Sequence, residues 1–116
     1  MGGALSLATA ALEPDVIDAA APFYGIPGED LCDISKIKCP VQCHFGSLDS
    51  LEGFSSPKDV AKMEEKFKAG GVDYELFEYE GANHAFTNTT SPNYNKDASH
   101  LALQRLCQFM NKSLTP

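Results

Sequence analysis

A carboxylate at Asp49 and an imidazole at His84 are the two side chains placed to do chemistry together. Each lies in a loop that follows an apolar, strand-like run: Phe45-Gly46-Ser47-Leu48-Asp49 after Val41 to Phe45, and Gly81-Ala82-Asn83-His84-Ala85-Phe86 after Tyr74 to Tyr79. In open α/β sheets functional groups collect just past the carboxyl ends of the strands. A carboxylate and a histidine on adjacent strand tips can hydrogen-bond, which fixes the histidine tautomer and stabilises its imidazolium while the other ring nitrogen faces a nucleophile. That is an acid and base arrangement awaiting a third member. Taken singly, Asp49 reads as a turn cap before Phe54 and His84 as a solvent-exposed loop residue; their pairing, acid before histidine and each after its own strand, favours the functional reading.

Other residues compete for the chemistry. Gly53-Phe54-Ser55-Ser56-Pro57 contains half of a G-x-S-x-G nucleophile elbow, with Pro57 where the second glycine belongs and Ser56 already suited to cap a helix. Ser6 falls inside an apolar helix, where its hydroxyl returns to the backbone, and Cys43 falls inside a strand. Cys32, Cys39, Cys43 and Cys107 are sparse for a disulfide scaffold and read as reduced thiols. A metal site of Cys32, Cys39, Cys43 and His44 is the sharper alternative. It suffers because Cys43 and His44, as strand neighbours, point to opposite faces and no C-x-x-C pair is present.

The elements that must position Asp49 and His84 follow from the pattern. Met1 to Leu12 is small and apolar around most of a helical circumference, and no Ser, Thr, Asp or Asn stands ahead of Gly2-Gly3 as an N-cap, so a preceding segment is expected to start it. Pro14 ends it, and Val16 to Tyr24 predicts a buried strand that stops at Gly25-Ile26-Pro27-Gly28. Val41 to Phe45 predicts a second strand. Ser56-Pro57-x-Asp59 opens a helix with an apolar stripe of Val60, Met63 and Phe67, ending near Ala69 before Gly70-Gly71. Tyr74 to Tyr79 is the third strand, and Lys96 to Lys112 a last helix burying Ala98, Leu101, Ala102, Leu106, Phe109 and Met110. Strands separated by helices make an α/β fold, with about three mostly parallel strands flanked by helices.

The chain resembles the dienelactone hydrolase family of the α/β-hydrolases over nearly its whole length. Met1-Gly2-Gly3-Ala4 is similar to the end of that family's elbow motif, Gly46-Ser47-Leu48-Asp49 to its acid loop, and Gly81-Ala82-Asn83-His84-Ala85-Phe86 to its histidine loop. Tyr94, Ala98 and Arg105 fall where the family often places Tyr, Ala and Arg. The resemblance implies a partial α/β-hydrolase fold, residues 1–116 being the C-terminal portion of the domain. It implies hydrolysis of small ester, thioester or lactone substrates, with Asp49 and His84 as acid and base of a Cys/Ser-His-Asp triad and no cofactor. Two departures stand out. The nucleophile would lie immediately before Met1, whose backbone N–H would serve the oxyanion hole, so the chain alone is expected to be inactive. The enzymes that open dienelactones carry an arginine four residues after the histidine, where this chain has Asn88, which argues against a carboxylated lactone.

Composition bounds the partners. The 116 residues suffice for one domain, and a net charge of -7 disfavours binding to a nucleic-acid backbone. No apolar run reaches the roughly 18 residues of a membrane helix, and the start lacks a secretory n-region, so a cytoplasmic location is expected. Without an upstream half, the Val16 to Tyr24 strand would expose an edge. The isolated chain is then expected to be marginal, to self-associate, or to need the upstream part of the fold. The alternative function is non-catalytic: an inactive truncated or interaction protein that pairs through that edge strand.

Overall fold

The computed structural model describes residues 2–28, 31–49 and 56–114. Its elements are helix α1 (Gly2–Leu12), a 3-10 turn (Ile34–Lys36), strand β1 (Val41–Gly46), helix α2 (Pro57–Gly70), strand β2 (Tyr74–Tyr79) and helix α3 (Lys96–Leu114). β1 and β2 pair in parallel from Val41 opposite Tyr74 to Gly46 opposite Tyr79, with α2 as the crossover between them. Both strands therefore deliver their following loops to the same end of the sheet.

Alternation along β1 sorts the core into two layers. Val41, Cys43 and Phe45 face α1, the 3-10 turn and α2, where Leu7, Ile34, Val60, Met63 and Phe67 are buried. His44 faces the opposite layer, where Tyr79, Phe86, Ala98 and Ala102 pack with Phe23 and Phe77 beneath α3. Cys43 and His44 thus lie on opposite faces, and no group of three or more metal-binding side chains forms among the described residues. α2 has the start and stop its sequence predicts. Ser56 and Asp59 close a capping box around Pro57, and Gly71, left-handed at φ 69°, ends the helix.

Two expectations need correction. Val16 to Tyr24 is a strand only in part. Val16 sits in the turn after α1 and is 68% exposed, while Ala20 and Phe23 make isolated parallel bridges to Val41 and His44. The Ala20 and Tyr24 N–H groups donate to Pro40 O and His44 O, and Gln42 and His44 donate to Ala20 O and Pro22 O. Between the two donors stands Pro22, which has no N–H, and the ladder breaks there. In α3, Ala98, Ala102 and Phe109 are buried as predicted, but Leu101 is 40% exposed and Leu106 and Met110 are half-buried. α1 likewise leaves Leu5 and Leu12 exposed on the side away from the sheet.

A polar chain crosses the α3 layer. His44 is fully buried; its Nε2 donates to Gln42 Oε1 at 2.8 Å, and its Nδ1 accepts from the Tyr79 hydroxyl at 2.7 Å. The Arg105 guanidinium lies 4.0 Å above the Phe77 ring and 5.4 Å from that of Tyr79. Burial, helped by the Arg105 charge, pushes the His44 imidazole down to about 4. The neutral ring is favoured in the fold, whereas an unfolded chain binds the proton near its ordinary 6.5. Stability from this residue is therefore complete above about pH 6.5 and is lost as pH falls through about 4, amounting to about 3 kcal/mol. We expect His44→Gln to flatten that part of the profile in denaturant melts between pH 7 and pH 4. Identical pH slopes for the two proteins would show that His44 is not held neutral.

Candidate active site

The site is built where the two strands end. After β1 the chain turns sharply, with Asp49 N donating to Gly46 O at 3.1 Å. After β2, Ala82 N closes a turn onto Tyr79 O at 3.1 Å around Gly81. The two loops are laced together: Ser47 N donates to Tyr79 O at 3.0 Å, Leu48 N to Ala82 O at 2.9 Å, and Gly81 N to Ser47 Oγ at 3.0 Å. Gly46 makes this approach possible, because a Cβ there would stand 2.4 Å from Ala82 O.

Within that lacing, Asp49 Oδ2 and His84 Nδ1 lie 2.8 Å apart. The aspartate side chain is fully buried and the histidine side chain is 31% exposed. A carboxylate only accepts, so Nδ1 carries the hydrogen and Nε2 is the basic nitrogen of the neutral ring. The histidine backbone is fixed as well, its N–H donating to Asn83 Oδ1 at 2.8 Å, with Ala85 left-handed at φ 61° directly after it.

His84 opens onto a shallow cleft with the first turn of α1. Gly2, Gly3, Ser6, Ala21, Phe23 and Tyr24 line it. The helix sits close because its residues are small: a Cβ on Gly3 would stand 2.2 Å from Phe23 O, and one on Gly25 would stand 2.6 Å from Ala4 N. The carboxyl ends of three parallel segments and the amino end of one helix meet here, with a buried acid and an accessible imidazole between them. An imidazole so held can take a proton from a hydroxyl or thiol beside the helix end and later return it to a leaving group.

The other sequence candidates lie elsewhere. The Ser6 hydroxyl donates to Gly2 O at 2.9 Å inside α1. Cys43 is buried in β1, and burial pushes its thiol far up, so thiolate chemistry is suppressed. Cys32, Cys39, Cys43 and Cys107 are all free thiols. Asn88 is exposed, and its Oδ1 accepts from the backbone and hydroxyl of Thr90 at 3.1 and 2.8 Å, which ties it into its own turn. Ala98 is buried, Arg105 covers Phe77, and Tyr94 is exposed. Met1 and the Gly53-Phe54-Ser55 stretch lie outside the described residues.

Sequence reasoning missed Tyr24. Its ring centroid is 5.2 Å from that of His84, and its hydroxyl shares a hydrogen bond with that of Thr87. The signal was available, since Tyr24 closes a strand just before a turn cluster, the same placement that singled out Asp49 and His84.

Residues 1–114 match the family model described as the dienelactone hydrolase family. Among curated proteins, the chain is 38% identical over 87 residues to Protein usf of Aquifex pyrophilus, covering 75% of this chain and 36% of the relative. It is 31% identical over 111 residues to the carboxymethylenebutenolidase of Pseudomonas putida, covering 95% and 44%. Among solved structures, a dienelactone hydrolase-like promiscuous phosphotriesterase from metagenomic libraries superposes with a TM-score of 0.80 at 19% identity, covering 96% of this chain and 48% of that one. Est1E from Butyrivibrio proteoclasticus superposes with a TM-score of 0.65 at 14% identity, covering 97% and 57%. These two likenesses show the α/β-hydrolase fold. The chain spans less than half the length of the curated relatives it matches.

Proposed function

Since the chain belongs to the dienelactone hydrolase family, we propose that residues 1–116 form the C-terminal portion of a domain that hydrolyses small esters, thioesters or lactones. In this reading His84 is the general base and then the general acid, and Asp49 orients it and stabilises its imidazolium. The nucleophile is a Cys or Ser in the residue ahead of Met1. The backbone N–H of Met1 joins the oxyanion hole, and the residues that complete the hole come from upstream. The single observation that carries the reading is the 2.8 Å contact between a buried Asp49 and a His84 that faces the start of α1.

Three finer points go with it. The exposed Asn88, tied into its own turn, takes the place of an arginine that could hold a substrate carboxylate, which favours uncharged esters over carboxylated lactones. The 116 residues alone are inactive, and the open side of the Ala20 to Tyr24 segment receives the upstream half of the domain, self-association being the alternative outcome. Among the described residues no strand flanks that segment on the side away from β1. No described helix is long and apolar enough to cross a membrane, and a cytoplasmic location belongs to the same proposal.

The test is nitrophenyl-ester turnover with an upstream nucleophile-bearing half joined ahead of Met1, compared with the same protein carrying His84→Ala. Equal rates would defeat the assignment.

A further inference from the structure

Resting on the reading of His84 as the base, we propose that Tyr24 is the positioning residue that holds the His84 imidazole against Asp49, through its ring and through a hydroxyl bridge to Thr87. Among the described residues, two that are not glycine have left-handed backbones, Tyr24 at φ 48° and Ala85 at φ 61°. Both adjoin His84. A residue with a Cβ is disfavoured in that region and stays there only when its surroundings over-determine it.

The surroundings of Tyr24 do so from three directions. Its N–H donates to His44 O at 2.9 Å, which pins it as the last paired residue of its segment. The next residue, Gly25, is wedged against the backbone of Ala4. The Tyr24 hydroxyl shares a hydrogen bond with the Thr87 hydroxyl, three residues past His84.

The left-handed turn has a packing consequence. In an extended strand Phe23 and Tyr24 would project to opposite faces of the sheet. Here both rings join the layer of Tyr79 and Phe86. The Tyr24 ring meets Phe86 edge-on at 5.4 Å and lies across His84 at 5.2 Å and 55°. The histidine loop is thus held between two grips, the acid loop through Leu48 and Ala82 and the tyrosine through Thr87. An aromatic wall beside the imidazole narrows its rotation, and the hydroxyl bridge fixes the height of the loop that carries it.

The experiment uses the same protein with an upstream nucleophile-bearing half joined ahead of Met1, labelled with ¹⁵N, as wild type, Tyr24→Phe, Thr87→Val and Thr87→Ser. The His84 ring nitrogens and the Nδ1–H proton are followed by NMR, and ester turnover is measured in parallel. Loss of either hydroxyl should shift or broaden the His84 Nδ1–H signal and lower kcat about tenfold with KM nearly unchanged, while Thr87→Ser, which keeps a hydroxyl, should behave as wild type. Folded Tyr24→Phe and Thr87→Val proteins with the wild-type His84 signal and the wild-type kcat would overturn the proposal. A hydrolase reading that fails by itself looks different: turnover is indifferent to His84→Ala, yet the two hydroxyl variants still move the His84 signal, which upholds the positioning role.

Discussion

Asp49→Asn in the complete catalytic unit is expected to lower kcat for ester hydrolysis about 10³- to 10⁴-fold, and adding His84→Ala to it is expected to cost little more. The carboxylate is fully buried 2.8 Å from Nδ1 and can only accept. An asparagine in the same place can turn its amide toward the ring and donate, which moves the imidazole hydrogen to Nε2 and removes the base from the nitrogen that must face the nucleophile. The charge that would stabilise the imidazolium is lost as well. In the proposed mechanism Asp49 and His84 act as one unit, so the two substitutions should be strongly non-additive. KM should change little, since neither side chain is assigned to ground-state binding. Single-turnover acylation rates of the two single variants and the double variant make the cycle. Fully additive losses would mean that the aspartate and the histidine serve different steps.

Gly46→Ala should be the most damaging one-methyl change in the sheet, costing about 3 kcal/mol or more of stability and at least about tenfold in turnover. The added Cβ would meet Ala82 O at 2.4 Å, Ala82 C at 2.7 Å and Asn83 O at 3.0 Å, all of them backbone atoms that cannot rotate aside. Relief requires the histidine loop to move away from the acid loop. That movement stretches the Leu48 N to Ala82 O and Ser47 N to Tyr79 O bonds and opens the Asp49 to His84 contact. Denaturant melts give the first quantity, and turnover at a temperature where the variant stays folded gives the second. A stability within about 0.5 kcal/mol of wild type would show that the loops part easily.

These two residues illustrate different degrees of legibility. Asp49 and His84 could be read because each follows an apolar run of strand length, and in an α/β sheet the carboxyl ends of parallel strands gather on one side. Gly46 reads in the sequence only as the end of a strand. Its φ is not left-handed, so nothing local demands glycine; the demand comes from Ala82, which lies 36 positions later in the chain. Tyr24 is similar. Its type and place were visible, but a tyrosine in an apolar run gives no sign that its backbone will turn left-handed and swing its ring to the face occupied by Phe23.

The partial failure of the first strand has a local cause that the periodicity concealed. Pro22 is apolar and suits a buried run, yet it lacks the donor that the ladder needs between Ala20 and Tyr24. The α3 stripe was over-read for a different reason. Periodicity places Ala98, Leu101, Ala102, Leu106 and Phe109 near one face, but how many of them are covered depends on the width of the sheet beneath. With β1, β2 and a broken third segment below, Ala98, Ala102 and Phe109 are covered and Leu101 is left exposed.

What the sequence determined alone is what depends on near neighbours: the helix over Pro57–Gly70 with its cap and stop, strand β2 to the residue, and the two loops that carry Asp49 and His84. What the tertiary structure decided is what depends on register and close approach between distant segments. The two loops meet because parallel pairing sets Gly46 beside Tyr79 and a glycine lets the backbones touch. Local preferences act within a few residues along the chain, whereas a 2.8 Å contact between positions 49 and 84 is fixed only when the whole sheet closes.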